Sequence, residues 1–384
     1  MNTVRSKGAA SFRAGWTRAA LAACLFACLF SGLFSGLLGA PAQAGDKAEA
    51  PVPSATLALM AQKNMAPGAP ILIRSFKKES VLEVWKQTRE GPYALLKSFP
   101  ICRWSGQLGP KRRQGDRQTP EGFYSVTPRQ MNPNSAYHLS FDTGFPNAYD
   151  RAHGATGSAL MVHGICSSAG CYAMTNQQIS EIYALARDAL RAGQGAFQMQ
   201  AYPFRMSAEN MAKYRGDPNI DFWRQLKEGF DLFEATGEEP RVKVVDARYA
   251  FNLRTPELEQ AARAHHAQEA AHTAALAREG GATIRTTYAD GGQHAIFMAM
   301  MKAGANLGEV SRPEALAYAG RDVIVTPARA APTARPAVMA MAPAPTQPDP
   351  APAPAPLKAH SLMSGAAPIL DPAMSLRPWT MPGV

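Results

Sequence analysis

The sequence predicts a mostly β fold with a few packed helices, followed by a disordered tail rich in proline and alanine. From Pro70 onward, runs of β-branched and aromatic residues such as ILIRSF, VLEVWKQ and YALLKSF are bounded by charged or Gly-Pro breaks, which is typical of hairpins. Apolar residues recur at helical spacing in only a few segments. From about Ala328 the chain has low complexity, as in APAPTQPDPAPAPAPLK, and such sequence stays extended.

The first 44 residues predict a cleaved secretory signal. Four basic residues and no acidic one precede an apolar run at 19–38, and the Ala-Gln-Ala at 42–44 is typical of a cleavage site. We therefore expect a periplasmic protein with no stable membrane span after cleavage. Because the apolar run approaches spanning length, an uncleaved inner-membrane anchor is the alternative.

The charge of the chain favours an anionic partner. The formal net charge is +10, and the signal contributes four of the positive charges, so the mature chain carries about +6. For an exported protein the available polyanions are the cell wall and the membrane surface. No dense Lys/Arg run marks a nucleic-acid site, so no nucleic-acid partner is expected. Simple solubility explains the charge equally well.

Further elements follow along the chain. The segment 111–127 predicts a polar loop that ends in a Pro-Glu-Gly turn and a strand, and AYHLSFDTG and ALMVHG predict two more strands. Thr175 and Gln178 form a capping box for a helix that reaches about Ala192. DFWRQLKEGFDLFEATG places five large apolar residues on one helical face, which must pack on the β region. RVKVVDARY, at 241–249, predicts another strand.

The sequence beyond Thr255 is rich in alanine and predicts a helix from about Pro256 to Glu279. It has few large apolar residues, so we expect it to add little to a core and to be dispensable for folding and activity. Its histidines lie on a polar helix face without a converging carboxylate cluster, which favours solvated side chains over a metal site. They are His265, His266 and His272.

The segment MVHGICSSAGCYAMT, residues 161–175, has the residue types of a catalytic thiol. Cys171 follows Gly170, which permits close approach of a substrate and offers backbone N–H groups to a developing oxyanion. His163 ends an apolar strand and precedes Gly164, so its imidazole should project at a strand end. We predict that Cys171 is a nucleophile and that His163 is its base.

Three cysteines remain after the signal, and an odd number leaves at least one thiol unpaired in an oxidising compartment. The sulfur that attacks a carbonyl must stay reduced, so we expect Cys171 to be the free thiol. Cys102 and Cys166 are then either disulfide-linked to each other or buried and inert. A Cys166–Cys171 bond that caps the nucleophile is the alternative.

The HG dipeptide followed by SAGC at 168–171 resembles the signature of the L,D-transpeptidase catalytic domain, also called the YkuD domain. Members of that family cut and remake peptide bonds in bacterial peptidoglycan. The blocks FKKESVLEVWKQ, FPICRWSGQLGPK, GDRQTPEGFY, FPNAYDRAHGATGS and DFWRQLKEGFDLFE are similar, in the same order, to those of its YafK-like subgroup. Seven residues separate His163 from Cys171, as in the subgroup, whereas the wider family has a longer spacing.

The resemblance implies a YkuD-like β-sandwich of mixed sheets with the nucleophile in a cleft. Cys171 is then the nucleophile, and His163 is the general base and acid. The oxyanion hole or the site wall is formed by Gly170, Ser168 and Gly164. The resemblance implies no cofactor and no metal, and the expected partners are peptidoglycan stem peptides, with a wall-linked lipoprotein as a further partner.

These observations divide the chain into five segments. They are a signal peptide at 1–44, a linker at 45–67, an L,D-transpeptidase-like catalytic domain with a helical C-terminal extension at 68–252, an Ala-rich and partly helical extension at 253–327, and a disordered Pro/Ala-rich tail at 328–384.

Several alternatives stay open at the site. Cys166 lacks a preceding glycine and is the weaker candidate for the nucleophile. His153, in a polar loop, is an alternative base. Arg151 is a candidate for binding a substrate carboxylate and equally for a structural ion pair. A zinc site from His163, Cys166 and Cys171 has unusual spacings and lacks a fourth ligand.

The predicted function is that of a peptidoglycan-modifying cysteine acyltransferase, a murein L,D-transpeptidase that forms a thioester on Cys171. If water resolves the thioester, the same residues make an amidase that releases wall-linked protein or trims cross-links. A non-catalytic wall-binding protein is the alternative from another class, and the intact motif argues against it.

Overall fold

The computed structural model describes residues 47–307 and 320–326. The predicted signal peptide at 1–44 and the predicted tail at 328–384 lie outside the described residues. Within the described ranges, no helix is both long and apolar enough to cross a membrane.

The described residues form seven α-helices and thirteen strands. The helices are α1 Ser54–Gln62, α2 Ala148–Ala152, α3 Asn176–Arg191, α4 Ala208–Lys213, α5 Ile220–Thr236, α6 Pro256–Arg278 and α7 Ala295–Lys302. The strands are β1 Ile71–Phe76, β2 Val81–Gln87, β3 Tyr93–Pro100, β4 Gly122–Val126, β5 Met131–Asn132, β6 Ser140–Asp142, β7 Met161–His163, β8 Tyr172–Ala173, β9 Phe197–Tyr202, β10 Arg241–Val245, β11 Arg248–Asn252, β12 Thr283–Thr287 and β13 Arg321–Thr326.

Two mixed sheets make up the body of the fold. The larger has the order β3-β2-β1-β9-β4 and is antiparallel except for the β1–β9 pair. The smaller has the order β5-β6-β7-β8, and its β7–β8 pair is parallel. Phe141 of β6 packs edge-on against Phe197 of β9 with ring centroids 5.4 Å apart, so both sheets contribute to one core. The predicted fold class of mixed sheets with packed helices is confirmed.

The segment predicted as a linker, 45–67, instead contains a helix over part of its length. In α1, Met60 is buried, and Met65 just beyond the helix is buried in the same core. Thr56 of this helix donates a hydrogen bond to Glu181 of α3. The sequence SATLALMAQ has no clear apolar face, so its helical packing could not be inferred from the pattern of residues.

Both helices predicted within the catalytic region are present. The α3 helix begins with the expected capping box, in which Thr175 Oγ1 accepts from the Gln178 amide and Gln178 Oε1 accepts from the Thr175 amide. The α5 helix packs on the β region as predicted. There Trp223 Nε1 donates to Glu121, which forms a fully buried ion pair with Lys77 at 2.8 Å.

The expectation that residues beyond Thr255 add little to the core is wrong. The α6 helix packs along α4 and α5, and Glu269 on it pairs with Lys227 of α5 at 2.9 Å. After α6, the ring of Tyr288 packs edge-on against the buried Trp104, with centroids 4.7 Å apart. Alanine lets helices approach closely while ion pairs supply specific contacts, so a search for large apolar residues does not find this packing.

Truncation after residue 255 is therefore expected to lower the melting temperature. It removes Tyr288 and Phe297, whose burial stabilises the fold by roughly 1.5–3 kcal/mol each, against about 5–15 kcal/mol for a typical domain. The effect is measured by comparing the melting temperature of the chain truncated after residue 255 with that of a chain that ends at residue 326 and so keeps every described residue. Equal melting temperatures for the two chains would contradict the expectation.

Candidate active site

The sheet register brings the histidine and the free cysteine of the motif to one face. β7 and β8 run parallel, with His163 opposite Ala173. Cys171 directly precedes β8, so it lies beside Met161 at the start of β7. Because side chains alternate along a strand, residues two positions apart share a face. Extending this alternation by one residue before β8 puts positions 171 and 163 on the same side of the sheet.

The Cys171 thiol is half-buried between two backbone groups. The Met161 amide donates to Sγ at 3.4 Å, and the thiol donates to the Ala159 carbonyl oxygen at 3.8 Å. Ala159 has a left-handed φ of 57°, which is uncommon for a residue with a Cβ. The sulfur is thus held by the backbone while part of the residue stays accessible.

His163 is oriented by a backbone carbonyl. Its Nδ1 lies 2.5 Å from the Gly164 carbonyl oxygen and donates to it, which leaves the lone pair of the neutral ring on Nε2. The buried ring also packs against Tyr137, with centroids 4.6 Å apart. A Cβ at Gly164 would come within 2.6 Å of Asn176 Oδ1 and 2.9 Å of the Tyr137 carbonyl oxygen, so a larger residue requires these neighbours to shift.

The Ser168 side chain forms three hydrogen bonds with the backbone at Gly170 and Cys171. Its Oγ accepts from the Gly170 amide at 3.3 Å and from the Cys171 amide at 3.1 Å, and it donates to the Cys171 carbonyl at 2.7 Å. Both amides donate to Ser168 Oγ in this arrangement, so each would have to release that hydroxyl to bind an oxyanion. The φ of 131° at Gly170 favours glycine.

Cys102 and Cys166 form a disulfide, with Cα atoms 5.4 Å apart, and Cys171 is the free thiol. The prediction that Cys171 is free is confirmed, and the pairing that the sequence left open is Cys102 with Cys166. The sulfur of Cys166 is therefore available neither as a nucleophile nor as a zinc ligand with His163. Phe297 of α7 packs against the disulfide.

Burial holds both titrating groups of the site in their neutral forms. Desolvation raises the pKa of the Cys171 thiol, and the hydrogen bond from the Met161 amide opposes this rise. Desolvation also lowers the pKa of His163, against the effect of the Gly164 carbonyl. At neutral pH the pair is therefore a thiol and a neutral imidazole, so chemistry at the sulfur requires a base that removes its proton during attack.

The pH dependence of kcat/KM and of cysteine alkylation should show that the Cys171 thiol and the His163 imidazole are both neutral at pH 7. The lowered pKa of His163 keeps the base unprotonated to below pH 6.5, so the acid limb of kcat/KM is expected below that value. The raised pKa of Cys171 predicts that alkylation by iodoacetamide rises with a midpoint above pH 9.0. The alkylation rate is measured against pH with Cys171→Ala as the blank. A midpoint below pH 9.0 would indicate a thiolate–imidazolium pair instead.

The described contacts of Arg151 and His153 are with residues outside the motif. Arg151 is on α2, its guanidinium donates to the Pro146 carbonyl, and it lines a surface cavity of about 420 Å³ that includes no residue of the motif. His153 follows α2, donates from Nδ1 to the Tyr149 carbonyl at 2.9 Å and stacks on the Tyr149 ring. These contacts give neither residue a place beside the thiol.

The histidines of α6 were expected to be solvated, and His266 departs from that expectation. Nδ1 of His266 lies 2.8 Å from Asp231 Oδ2, which joins α6 to α5. Among the residues that the structure describes, no three His, Cys, Asp or Glu side chains converge as a metal site.

Polar residues of an earlier part of the chain contact the backbone or side chain of Ser168 and Cys171, and sequence reasoning did not single them out. Thr119 Oγ1 donates to the Cys171 carbonyl at 3.1 Å, and Ser105 Oγ lies 3.1 Å from Ser168 Oγ. Arg117 Nη2 donates to the Ser168 carbonyl at 3.2 Å. Arg117 and Thr119 belong to GDRQTPEGFY, one of the blocks that carry the family resemblance, so that block held the signal for both.

Sequence comparison relates this chain to known proteins. Residues 77–218 match the L,D-transpeptidase catalytic domain, YkuD. Two curated proteins named "Putative L,D-transpeptidase YafK", one from Escherichia coli strain K12 and one from Escherichia coli O157:H7, are each 50% identical to this chain over 190 residues. The matched part is 50% of this chain and 77% of each relative.

Two solved structures are more distant. The helical cell shape determining protein Pgp2 from Campylobacter jejuni is 17% identical, with 60% of this chain and 80% of that chain covered and a TM-score of 0.29. Bd1075 from Bdellovibrio bacteriovorus is 21% identical, with 43% and 60% covered and a TM-score of 0.26. Because these TM-scores are low, the assignment depends on the sequence matches. With half of the aligned residues identical across most of YafK, the chain belongs to the L,D-transpeptidase (YkuD) family.

Proposed function

We propose that this protein is a peptidoglycan-modifying cysteine acyltransferase, a murein L,D-transpeptidase that works through a thioester on Cys171. The observation that carries the proposal is the state of the three cysteines between residues 47 and 307. Cys102 and Cys166 are bonded to each other, whereas Cys171 keeps a free sulfur on the sheet face that it shares with His163. Family membership supports peptidoglycan as the substrate.

The proposed reaction begins when the Cys171 sulfur attacks the carbonyl carbon of a stem-peptide bond next to a diaminopimelate-type centre. His163 Nε2 takes the thiol proton as the C–S bond forms and gives it to the leaving amine as the C–N bond breaks. An acceptor amine then attacks the thioester, transfers its proton to His163, and expels the Cys171 thiolate, which regains that proton. If water is the acceptor, the product is a carboxylate and the net reaction is hydrolysis.

Incubation of the mature chain with purified peptidoglycan, followed by mass spectrometry of the released and newly joined peptides, tests the proposal. We expect newly joined peptides with the wild type and none with Cys171→Ala. Release without joining, including release of a wall-linked lipoprotein, would assign an amidase to the same residues. No change in the peptidoglycan, with Cys171 shown to be reduced and the protein folded, would favour a non-catalytic wall-binding protein.

We also propose that the protein works in the periplasm after cleavage of residues 1–44. Fractionation of expressing cells and sequencing of the mature N-terminus tests this. The expected result is a soluble periplasmic chain that starts near Gly45. A full-length chain in the inner-membrane fraction would instead assign an uncleaved anchor.

A further inference from the structure

We propose that Asp290 is a positioning residue for the Cys171 nucleophile and that it acts through Arg117. The inference rests on the proposed function of Cys171. Asp290 lies between β12 and α7, beyond residue 252, where the resemblance to the family ends. Its side chain reaches the nucleophile loop, defined here as residues 164–171, by way of the Arg117 guanidinium.

The Asp290 carboxylate is fixed in place. The residue is 4% exposed, and its Oδ2 accepts from Arg117 Nη2 at 2.7 Å and from Arg117 Nε at 3.2 Å. Its Oδ1 accepts from the Gly106 amide at 3.2 Å, and its backbone carbonyl accepts from Arg103 Nη2. Charge-assisted hydrogen bonds with two guanidinium nitrogens orient Arg117 more strongly than neutral contacts would.

Arg117 in turn holds Ser168. The Nη2 atom that binds Asp290 also donates to the Ser168 carbonyl at 3.2 Å. The Arg117 carbonyl accepts from Ser105 Oγ at 2.7 Å, and that hydroxyl lies 3.1 Å from Ser168 Oγ. The Arg117 side chain is 31% exposed, so without the carboxylate its charged end has water as a competing partner.

Ser168 carries this restraint to the nucleophile. Its Oγ binds the amides of Gly170 and Cys171 and also the Cys171 carbonyl, so its position sets the backbone from which Sγ projects. Two residues earlier, the loop is fixed covalently by the disulfide at Cys166. Ser168 and Cys166 are thus two of the points at which the nucleophile loop is held, and residues of the C-terminal extension support both. Asp290 supports the first, and Phe297, which packs on the disulfide, supports the second.

The expected consequence is a loss of turnover without a loss of substrate binding. A misplacement of about 1 Å at a reacting group can lower the rate about 10²-fold. Asp290 is buried and forms hydrogen bonds with other residues of the protein, so removal of its charge should leave KM unchanged. This pattern separates positioning from substrate binding.

The test compares Asp290→Asn with Asp322→Asn in the full chain. The first change keeps the shape of the side chain and an acceptor for the Gly106 amide but removes the charge that holds Arg117. The second removes the ion pair that Asp322, in the same extension, forms with Lys78 at 3.0 Å. The described hydrogen bonds of Asp322 do not involve the nucleophile loop. We expect kcat to fall about 10²-fold in Asp290→Asn and to stay at the wild-type value in Asp322→Asn. The comparison is made at a temperature at which melting curves show all variants folded.

Arg117→Gln is a second variant that tests the proposal. The Arg117 side chain is partly exposed, so its replacement should disturb folding less than a change at the buried Asp290. We expect it to reproduce the kcat loss, and we expect the double variant Arg117→Gln/Asp290→Asn to be no worse than Arg117→Gln alone, since both changes break one chain of contacts. Additive losses, or an equal loss in Asp322→Asn, would overturn the proposal.

Alkylation of Cys171 by iodoacetamide supplies a readout that needs no peptidoglycan. Release of the loop exposes the sulfur, so alkylation at neutral pH should become faster in Asp290→Asn and Arg117→Gln while kcat falls. If the wild type has no activity on peptidoglycan, the proposed function fails, but a faster alkylation in these variants still supports the positioning role. Wild-type alkylation rates in both variants would overturn it.

Discussion

Replacement of Cys171 by alanine is expected to abolish the modification of peptidoglycan, with a loss of roughly 10³-fold or more, because removal of an attacking group leaves only binding and residual electrostatic effects. The sulfur is small and half-buried, and the contacts it makes with the Met161 amide and the Ala159 carbonyl are weak. The fold should therefore tolerate the change. Mass spectrometry of peptidoglycan products, together with thermal melting, measures both effects.

The matched control is the double variant Cys102→Ala/Cys166→Ala, which removes the other two cysteine sulfurs within residues 47–307 and leaves Cys171 in place. A native disulfide contributes typically about 2–4 kcal/mol, so this variant should melt at a lower temperature yet keep activity within roughly tenfold of the wild type, a smaller loss than that for the nucleophile itself. Equal and complete loss in both variants, with folding intact, would count against Cys171 as the nucleophile.

Replacement of His163 by alanine is expected to slow formation of the thioester by about 10²-fold or more, the usual contribution of a general base. A base is needed because the pKa of the Cys171 thiol is raised and that of His163 is lowered, so the thiol does not ionise by itself at neutral pH. Single-turnover experiments, with the acylated Cys171 peptide detected by mass spectrometry, measure the rate directly.

His153 supplies the control for that experiment. It is also followed by glycine in the sequence, but its ring stacks on Tyr149 and its Nδ1 donates to the Tyr149 carbonyl. His153→Ala should change the acylation rate by less than about threefold, since the ring has no part in proton transfer. The reverse ranking of the two histidines would transfer the role of base to His153.

The features that could be predicted from the sequence have local signals. Strand alternation, the capping box at Thr175 and the apolar face of α5 each depend on residues a few positions apart, and each is present in the structure. His163 and Cys171 lie in one short segment, and the parallel pairing of two adjacent short strands is enough to place them on one face. Counting the three cysteines beyond the predicted signal indicated that at least one has no partner within the chain, whereas the pairing of the other two stayed open.

The features that could not be predicted depend on contacts between distant parts of the chain. Asp290 and Arg117 are 173 positions apart, and no spacing rule connects them. The Ser168 hydroxyl accepts hydrogen bonds from the amides of Gly170 and Cys171. This depends on its rotamer, which the glycine-rich pattern does not reveal. The packing of α6 uses alanine and ion pairs, so it leaves little trace in hydropathy.

The pairing of Cys102 with Cys166 decides whether oxidation of the chain leaves the Cys171 thiol free. The three cysteines within residues 47–307 allow three pairings, and the two that include Cys171 consume the proposed nucleophile. Entropy of loop closure favours the wrong bond between Cys166 and Cys171 over the native one, which spans 64 positions. Unless tertiary structure brings Cys102 to its partner first, the chain oxidises into an inactive isomer, and only thiol–disulfide exchange returns it to the productive one. Catalytic turnover by refolded protein therefore also reports the fraction of molecules whose cysteines have paired correctly.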